Sequence, residues 1–365
     1  PNMNPDGQHP PPRCEVLVIG AGPAGTACAH WLARHGLEAV LVDQHPFPRD
    51  KTCGDGLIPD AHAALQRLGV LDEVLSVARV LTHVRCYAPS GRSVDIPGSL
   101  AVLPRRQLDH LLAQAAVRAG AHMFTPWRFE APLRDDGQRV IGARLRLVGA
   151  EPRQVREVRA RHVVLATGAA PQALLAAQLC TRQVPSAMGL RGYVRHPGLS
   201  ERIPHLEVAW HPKLAGGYGW IFPCGPDLYN IGIGITDSHQ ARSHAMRDLN
   251  LREVFAEFVR VHPNARDLMA SGELQGELKG APLRSSLEGA HFAAPGVLVT
   301  GEAAGSTYSF TGEGIGKAME TGILAAQTLL AARDQGLDDA GVAAHYTAAL
   351  MALKPKFALY DKGNR

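Results

Sequence analysis

The chain has 365 residues, 45% hydrophobic and 20% charged, with 38 Lys plus Arg against 34 Asp plus Glu. That length exceeds one usual core and predicts two domains sharing an interface, and the ordinary composition predicts a folded, soluble protein. A net charge of +4 is too mild for a nucleic-acid partner, and six cysteines without C-x-x-C or zinc spacing argue against a disulfide scaffold or a metal site and fit a reducing cytoplasm.

The opening PNMNPDGQHPPP reads as an unstructured leader or an expression remnant. The next stretch, EVLVIGAGPAGTACAHWLARHGLEAVLVD, is a complete strand–helix–strand unit. VLVI is a continuous apolar run, as expected for a parallel strand buried on both faces. Ala24, Cys28 and Leu32 fall on the inner side of the helix, and Gly36 ends it. AVLVD is the second strand, followed by the crowded loop HPFPRDKTCGDGL and a helix over PDAHAALQRLGVLDEVL. THVRCYAPSGRSVDI alternates like a hairpin. PRRQLDHLLAQAAVRAGAH is an amphipathic helix with Leu108, Leu111, Leu112 and Ala115 on one stripe.

ARLRLV and ARHVVLATG follow as strands, and the Arg-rich EPRQVREVRARH between them is a solvated segment. Over 183–282 the grammar changes to short strands with period-two patterning: AMGLRGYVRH, HLEVAW, GGYGWIFPCG and LYNIGIGI. GVLVTGEAAG then returns to the nucleotide-domain pattern, and an Ala-rich helix pair follows. The expected division gives residues 13–80, 101–182 and 283–350 to a Rossmann-type α/β domain. Residues 81–100 and 183–282 form an inserted antiparallel substrate domain. Residues 351–365 begin a C-terminal helical segment, so the natural chain is expected to continue.

Gly20, Gly22 and Gly25 form G-x-G-x-x-G between a strand and a helix, with Pro23 and Ala24 opening that helix. The first glycine permits the turn, the second lets backbone approach a pyrophosphate, and the third lets helix and strand pack closely. The helix start offers free N–H groups to phosphates. Asp43, followed by Gln44, closes the second strand where an acid accepts from an adenosine ribose. Far along the chain a strand ends in Gly301-Glu302, and Gly312-Glu313-Gly314 opens another helix at Ile315. An acid at such a strand end can bind ribityl hydroxyls, so the dinucleotide read here is FAD.

FPRDKTCGDGL, the R-x-x-D at Arg106–Asp109, ATG at 166–168, YGWIFP at 218–223 and GEAAG…FTGEGI together resemble the geranylgeranyl reductase family. That family belongs to the flavoprotein group with the para-hydroxybenzoate hydroxylase fold. Glu302 stands where the family most often has Asp, and Asp43 where Glu is commoner. The resemblance implies that the loop after the second strand runs along the cofactor. Arg49, Lys51, Arg106 and Gly168 would then contact it, and Cys53 and Gly54 would lie at the flavin ring. Arg49 and Lys51 would be the cations able to lower the Cys53 thiol pKa. Tyr218, Trp220 and Phe222 alternate, so on a strand they face one side; the resemblance makes that side a cavity wall suited to a prenyl or polyene chain. Cys53, Tyr218 and Trp220 are the expected catalytic residues, and Arg191 and Tyr193 are candidates for the domain interface.

The expected reaction is reduction of carbon–carbon double bonds by reduced FAD. The alternative is a hydroxylase or another flavin tailoring enzyme acting on a natural-product intermediate, and a flavin-binding module without catalysis is a third reading. The chain lacks any Lys between Lys51 and Lys213, which argues against the halogenases of this fold. With only one dinucleotide fingerprint, NAD(P)H visits transiently or another electron donor reduces the flavin. A lipid-like apolar substrate predicts a cytoplasmic protein with peripheral membrane contact rather than a span.

Overall fold

In the computed structural model, which describes residues 9–180, 185–214, 216–236, 249–287 and 290–363, the apolar run Val16–Ile19 lies at the centre of a sheet. Its strand, Arg13–Ile19, pairs in parallel with Ala39–Val42 on one side and Val155–Leu165 on the other. His122–Phe124 and Val297–Val299 extend the parallel core outward. Burial on both faces explains why these strands are apolar throughout. The solvated start of Val155–Leu165 pairs antiparallel with Val140–Leu147, which pairs in turn with Trp127–Arg134.

The helices Pro23–Arg34 and Ile315–Gln335 pack face to face over this sheet, with Asp339–Met351 beyond them. Small residues set the separation: a carbon added to Gly322 would lie 2.2 Å from the Ala24 carbonyl oxygen. The helix expected over 59–75 is two helices, Pro59–Leu68 and Leu71–Val77. The first stops at Gly69, whose φ of 73° is the left-handed cap that glycine adopts without strain. The leader reading falls mostly on residues 1–8, outside the described residues.

The second sheet has eight strands in the order Glu273–Leu283, Ala187–Arg195, Leu228–Thr236, Tyr218–Pro223, Leu206–Trp210, Arg79–Tyr87, Ser93–Val102 and Gly56–Leu57. Every pairing is antiparallel except Leu206–Trp210 with Arg79–Tyr87. The hairpin at 79–102 thus joins the layer formed by residues 187–283. So does Gly56–Leu57, from the crowded loop after the second strand. Two helices absent from the period-two reading, Leu251–Val261 and Pro263–Ser271, cover one face of this sheet. Phe255, Phe258 and Leu268 pack there on Ile221, Ile231 and Ile233. Among the described residues no helix is long and apolar enough to cross a membrane.

Glu207 points into that helix-covered face and is 1% exposed. Its Oε1 accepts from His262 and from Asn264 Nδ2 (3.0 Å), and its Oε2 from His205 Nε2 (3.1 Å) and Asn264 Nδ2 (2.9 Å). Burial acts to raise its pKa, but the hydrogen bonds from His205, His262 and Asn264 win and hold the carboxyl at about 2. Against an ordinary value of 4.5, that stabilisation is complete above about pH 4.5 and is lost as pH falls toward 2. Glu207→Gln is expected to destabilise the fold at neutral pH by roughly 3 kcal/mol and to flatten its acid limb. Denaturant titrations at pH 7 and pH 3 check this; equal losses at both would contradict it.

Candidate active site

The turn between the first strand and helix is held by backbone contact. A carbon on Gly25 would sit 1.8 Å from the Gly20 carbonyl oxygen, so only glycine lets the strand and helix close. Gly22 is different: a carbon there would meet only the Nη2 atoms of Arg49 and Arg105, each at 3.8 Å. Two guanidinium groups therefore converge on the open side of this turn. Asp109, fully buried, holds both. It accepts from Arg105 Nε (2.6 Å) and Nη2 (2.8 Å), and from Arg49 Nη1 (2.8 Å).

The pairing corrects one expectation. Arg106 was the expected cofactor contact through an R-x-x-D pair, but it is exposed. Arg105, first residue of the helix Arg105–Arg118, pairs with Asp109 one turn on, at i,i+4, and is 8% exposed.

Asp43 closes the second strand, 7% exposed. Its Oδ2 accepts from Ala21 N (2.9 Å) and its Oδ1 from His45 N (2.9 Å). Burial acts upward on its pKa, but His45, Arg49 and the Ala21 amide outweigh it and lower the net value. Gln44 is exposed, with its side chain tied to Arg128 Nε (2.8 Å). Gly168 follows Thr167, whose Oγ1 is buried without a partner among the described residues. A carbon on Gly168 would meet nothing within 4 Å.

The second glycine element arrives beside the first. A carbon on Gly301 would lie 2.5 Å from Ala24 Cβ. Glu302 Oε1 accepts from Arg284 N (3.3 Å) and Thr307 Oγ1 (3.2 Å). Burial pushes its carboxyl up, against the pull of Lys51. A carbon on Gly312 would meet the Tyr218 hydroxyl at 2.7 Å, so this turn touches the aromatic strand of the other layer. Gly314 caps the helix Ile315–Gln335. The Ile315 side chain packs in the core with Leu57 and Met319, leaving its backbone as the group able to face a ligand. Between the glycines, burial holds Glu313 at about 7, with a Thr311 hydrogen bond acting against it.

Tyr218, Trp220 and Phe222 do share one side of their strand, with neighbouring ring centroids 5.9 and 6.2 Å apart. Trp220, however, is 7% exposed and does not stand as an open wall. Its ring lies over Gly232 and against Gly54, and its Nε1 donates to Asn230 Oδ1 (2.9 Å). The bare side of Gly54, expected to face a flavin ring, is covered by Phe222 and Trp220 at 3.3 and 3.5 Å. The Tyr218 hydroxyl donates to the Thr311 carbonyl, and burial pushes its pKa up. Burial likewise pushes the Cys53 thiol up, and the cation opposing it is Arg105 rather than Arg49 or Lys51. Cys53 is therefore a protonated thiol at neutral pH, not an activated thiolate.

Sequence reasoning missed Arg105, Asp55 and Asn230. Asp55, inside CGDG, is fully buried; its Oδ2 accepts from the Tyr193 hydroxyl and Asn230 Nδ2 (2.8 Å). Arg191, the other interface candidate, is 2% exposed and donates to Asp50 (2.9 Å).

The donor set fits FAD. It offers an acid at the second strand end, a bare turn faced by two guanidiniums, a buried Thr167 hydroxyl, and a second buried acid beside a glycine-capped helix. The profile of an FAD binding domain matches residues 13–184. A menaquinone reductase of Mycolicibacterium smegmatis is 32% identical over 340 residues, 87% of this chain and 76% of that protein. The chain belongs to the geranylgeranyl reductase family of FAD-dependent oxidoreductases. A digeranylgeranylglycerophospholipid reductase of Methanothrix thermoacetophila is 31% identical, over 90% of this chain and 80% of that one. Among solved structures, a geranylgeranyl bacteriochlorophyll reductase-like protein of Thermoplasma acidophilum superposes with a TM-score of 0.81. It is 21% identical and covers 96% of this chain and 87% of its own. A flavin-dependent brominase, Bmp2, shares the fold at 0.74, with 20% identity over 92% and 83% of the two chains. FAD is thus the cofactor of this family member.

The glycines of the first turn are expected to separate by substitution. Gly22→Val adds bulk only on the open side, so the variant should fold yet purify without flavin. Gly25→Ala drives a methyl into a carbonyl and should lose at least about 2 kcal/mol of stability. Flavin absorbance and thermal unfolding of the two variants check this. A fully yellow Gly22→Val protein would move the pyrophosphate elsewhere.

Proposed function

We propose that this enzyme hydrogenates carbon–carbon double bonds in the isoprenoid chain of a quinone or lipid. Its expected catalytic group is formed by Cys53, Tyr218 and the aromatic strand. The observation that carries this reading is the sheet face beside the Cys53 loop. Cross-strand register puts Trp220, Val208, Cys86 and Val94 in one row, and Val84 and Ile96 in the next. Leu206, Trp210 and Phe222 alternate onto the same face. The opposite face carries Glu207, Arg85 and Asp95. This side of the layer is thus apolar from Trp220 out to the hairpin, while toward the flavin loop the same rows pass through Gly232 and Asn230 to Arg191 and Tyr193, which are engaged by Asp50 and Asp55 of that loop. Trp210 stacks on Phe310 (centroids 5.5 Å apart) at the Tyr218 end, extending the apolar surface to the second glycine turn. The relatives whose names carry menaquinone and a digeranylgeranyl lipid act on molecules with such chains.

Reduced FAD, when bound, supplies a hydride to one alkene carbon. The chain must then orient the alkene, keep water away and deliver a proton to the other carbon. Two protonated groups stand together for that delivery, the Cys53 thiol and the Tyr218 hydroxyl. The Tyr218 proton is committed to the Thr311 carbonyl, which leaves Cys53 as the freer donor. Asn230 Nδ2 holds the Cys53 carbonyl at 2.8 Å and fixes the loop that presents this thiol. NAD(P)H or another electron donor would supply the reducing equivalents, and an apolar lipid substrate implies peripheral contact with membrane.

Oxygen-free, photoreduced enzyme mixed with a geranylgeranyl lipid or menaquinone is expected to reoxidise its flavin. The product should gain two hydrogens within the isoprenoid chain for each double bond reduced, located by fragment masses and distinct from the two that turn a quinone ring into a quinol. Reoxidation that requires oxygen, with one oxygen atom added to the product, would replace this reading with a hydroxylase.

A further inference from the structure

Asp55 adopts φ of 66°, an unfavourable backbone state for a residue other than glycine, and is 0% exposed. A residue held this way is over-determined by its surroundings. Its Oδ1 accepts from Arg105 N (3.2 Å), at the start of the helix whose guanidinium opposes the raised Cys53 thiol. Its Oδ2 accepts from the Tyr193 hydroxyl on the strand Ala187–Arg195 and from Asn230 Nδ2 (2.8 Å) on Leu228–Thr236. Its own N–H donates to Cys53 Sγ (3.4 Å).

Asn230, also 0% exposed, uses every hydrogen-bonding group of its amide that the surroundings demand. It donates to Asp55 and to the Cys53 carbonyl, and it accepts from Trp220 Nε1. The indole donor fixes which end of the amide is oxygen, so Asp55 must be the acceptor. Tyr193 is held in turn by Arg191, whose guanidinium lies 4.4 Å from its ring centroid and donates to Asp50 on the same loop.

We infer that Asp55 is a positioning residue: through Tyr193, Asn230 and Arg105 N it locks the Cys53 loop, the Trp220 indole and the start of the Arg105 helix into one frame. The inference rests on the reading above, in which Cys53 and its aromatic neighbours serve alkene reduction. Burial holds the Asp55 carboxyl up at about 6, with Tyr193 and Asn230 opposing. The frame is therefore fully charged only toward neutral pH.

Asp55→Asn keeps the shape but turns one acceptor into a donor facing Asn230 or Arg105 N. Flavin content and KM are expected to hold within about twofold, while kcat falls by up to about 10²-fold, as for an ångström-scale misplacement. The freed loop should alkylate faster with iodoacetamide at Cys53, read by peptide mass mapping. Tyr193→Phe removes a single hydroxyl and should give the same signs at smaller size, even if Asp55→Asn folds poorly. Unchanged kcat or unchanged Cys53 alkylation in these variants would overturn the inference, as would losses of kcat that merely track flavin content. If the wild type reduces no alkene, the functional reading fails, while the rate of Cys53 alkylation in the Asp55→Asn and Tyr193→Phe proteins still decides the role of Asp55.

Discussion

The site depends on one steric constraint: two chain segments nearly 280 residues apart must touch without side chains between them. Gly301 approaches Ala24 so closely that an added carbon would stand 2.5 Å from its methyl, and Gly322 presses on the Ala24 carbonyl from the long helix. This contact brings the two glycine turns into one cleft. It also aligns the helices Pro23–Arg34 and Ile315–Gln335 so that both can bury small residues against the parallel sheet. Larger residues at these positions would part the helices and separate Asp43 from Glu302. Close packing of small residues has no slack to absorb such a change.

The loop after the second strand is the hinge of meaning between the two layers. It begins at the nucleotide sheet and ends as the edge strand of the other sheet, through Gly56–Leu57. Its crowding of charge and glycine follows from having to satisfy both. Arg49 turns back to Asp109, Asp50 takes Arg191, Asp55 takes Tyr193 and Asn230, and Gly54 yields its space to Phe222 and Trp220. Four separate elements thus fix a segment that has almost no regular structure of its own.

Local pattern carried much of this into view. The strand–turn–helix with its closing acid was legible because each glycine has a local job, and the aromatic strand because alternation sets its face. Choices made by distant partners were not legible. Arg105 and Arg106 stand side by side in sequence, and only the position of the first helical turn decides which reaches Asp109. In HLEVAW, alternation makes Glu207 look outward. The helices Leu251–Val261 and Pro263–Ser271, hidden among short strands, turn that outward face into a buried one and bring His262 and Asn264 to meet the carboxylate. Asp55 and Asn230 lie 175 residues apart, and no spacing rule connects them.

The charges around the first turn show why burial here does not oppose binding. Arg49 and Arg105 are both largely buried, which would be costly without an anion. Asp109 bridges the two guanidiniums and Asp43 Oδ2 lies 3.9 Å from Arg49 Nη2, so two carboxylates balance two cations whose Nη2 atoms still face Gly22. A doubly charged pyrophosphate meets cations that are already desolvated and oriented. The ordering of two long side chains has been met at folding rather than at binding. An arginine left free in solvent would have to lose that freedom for each contact.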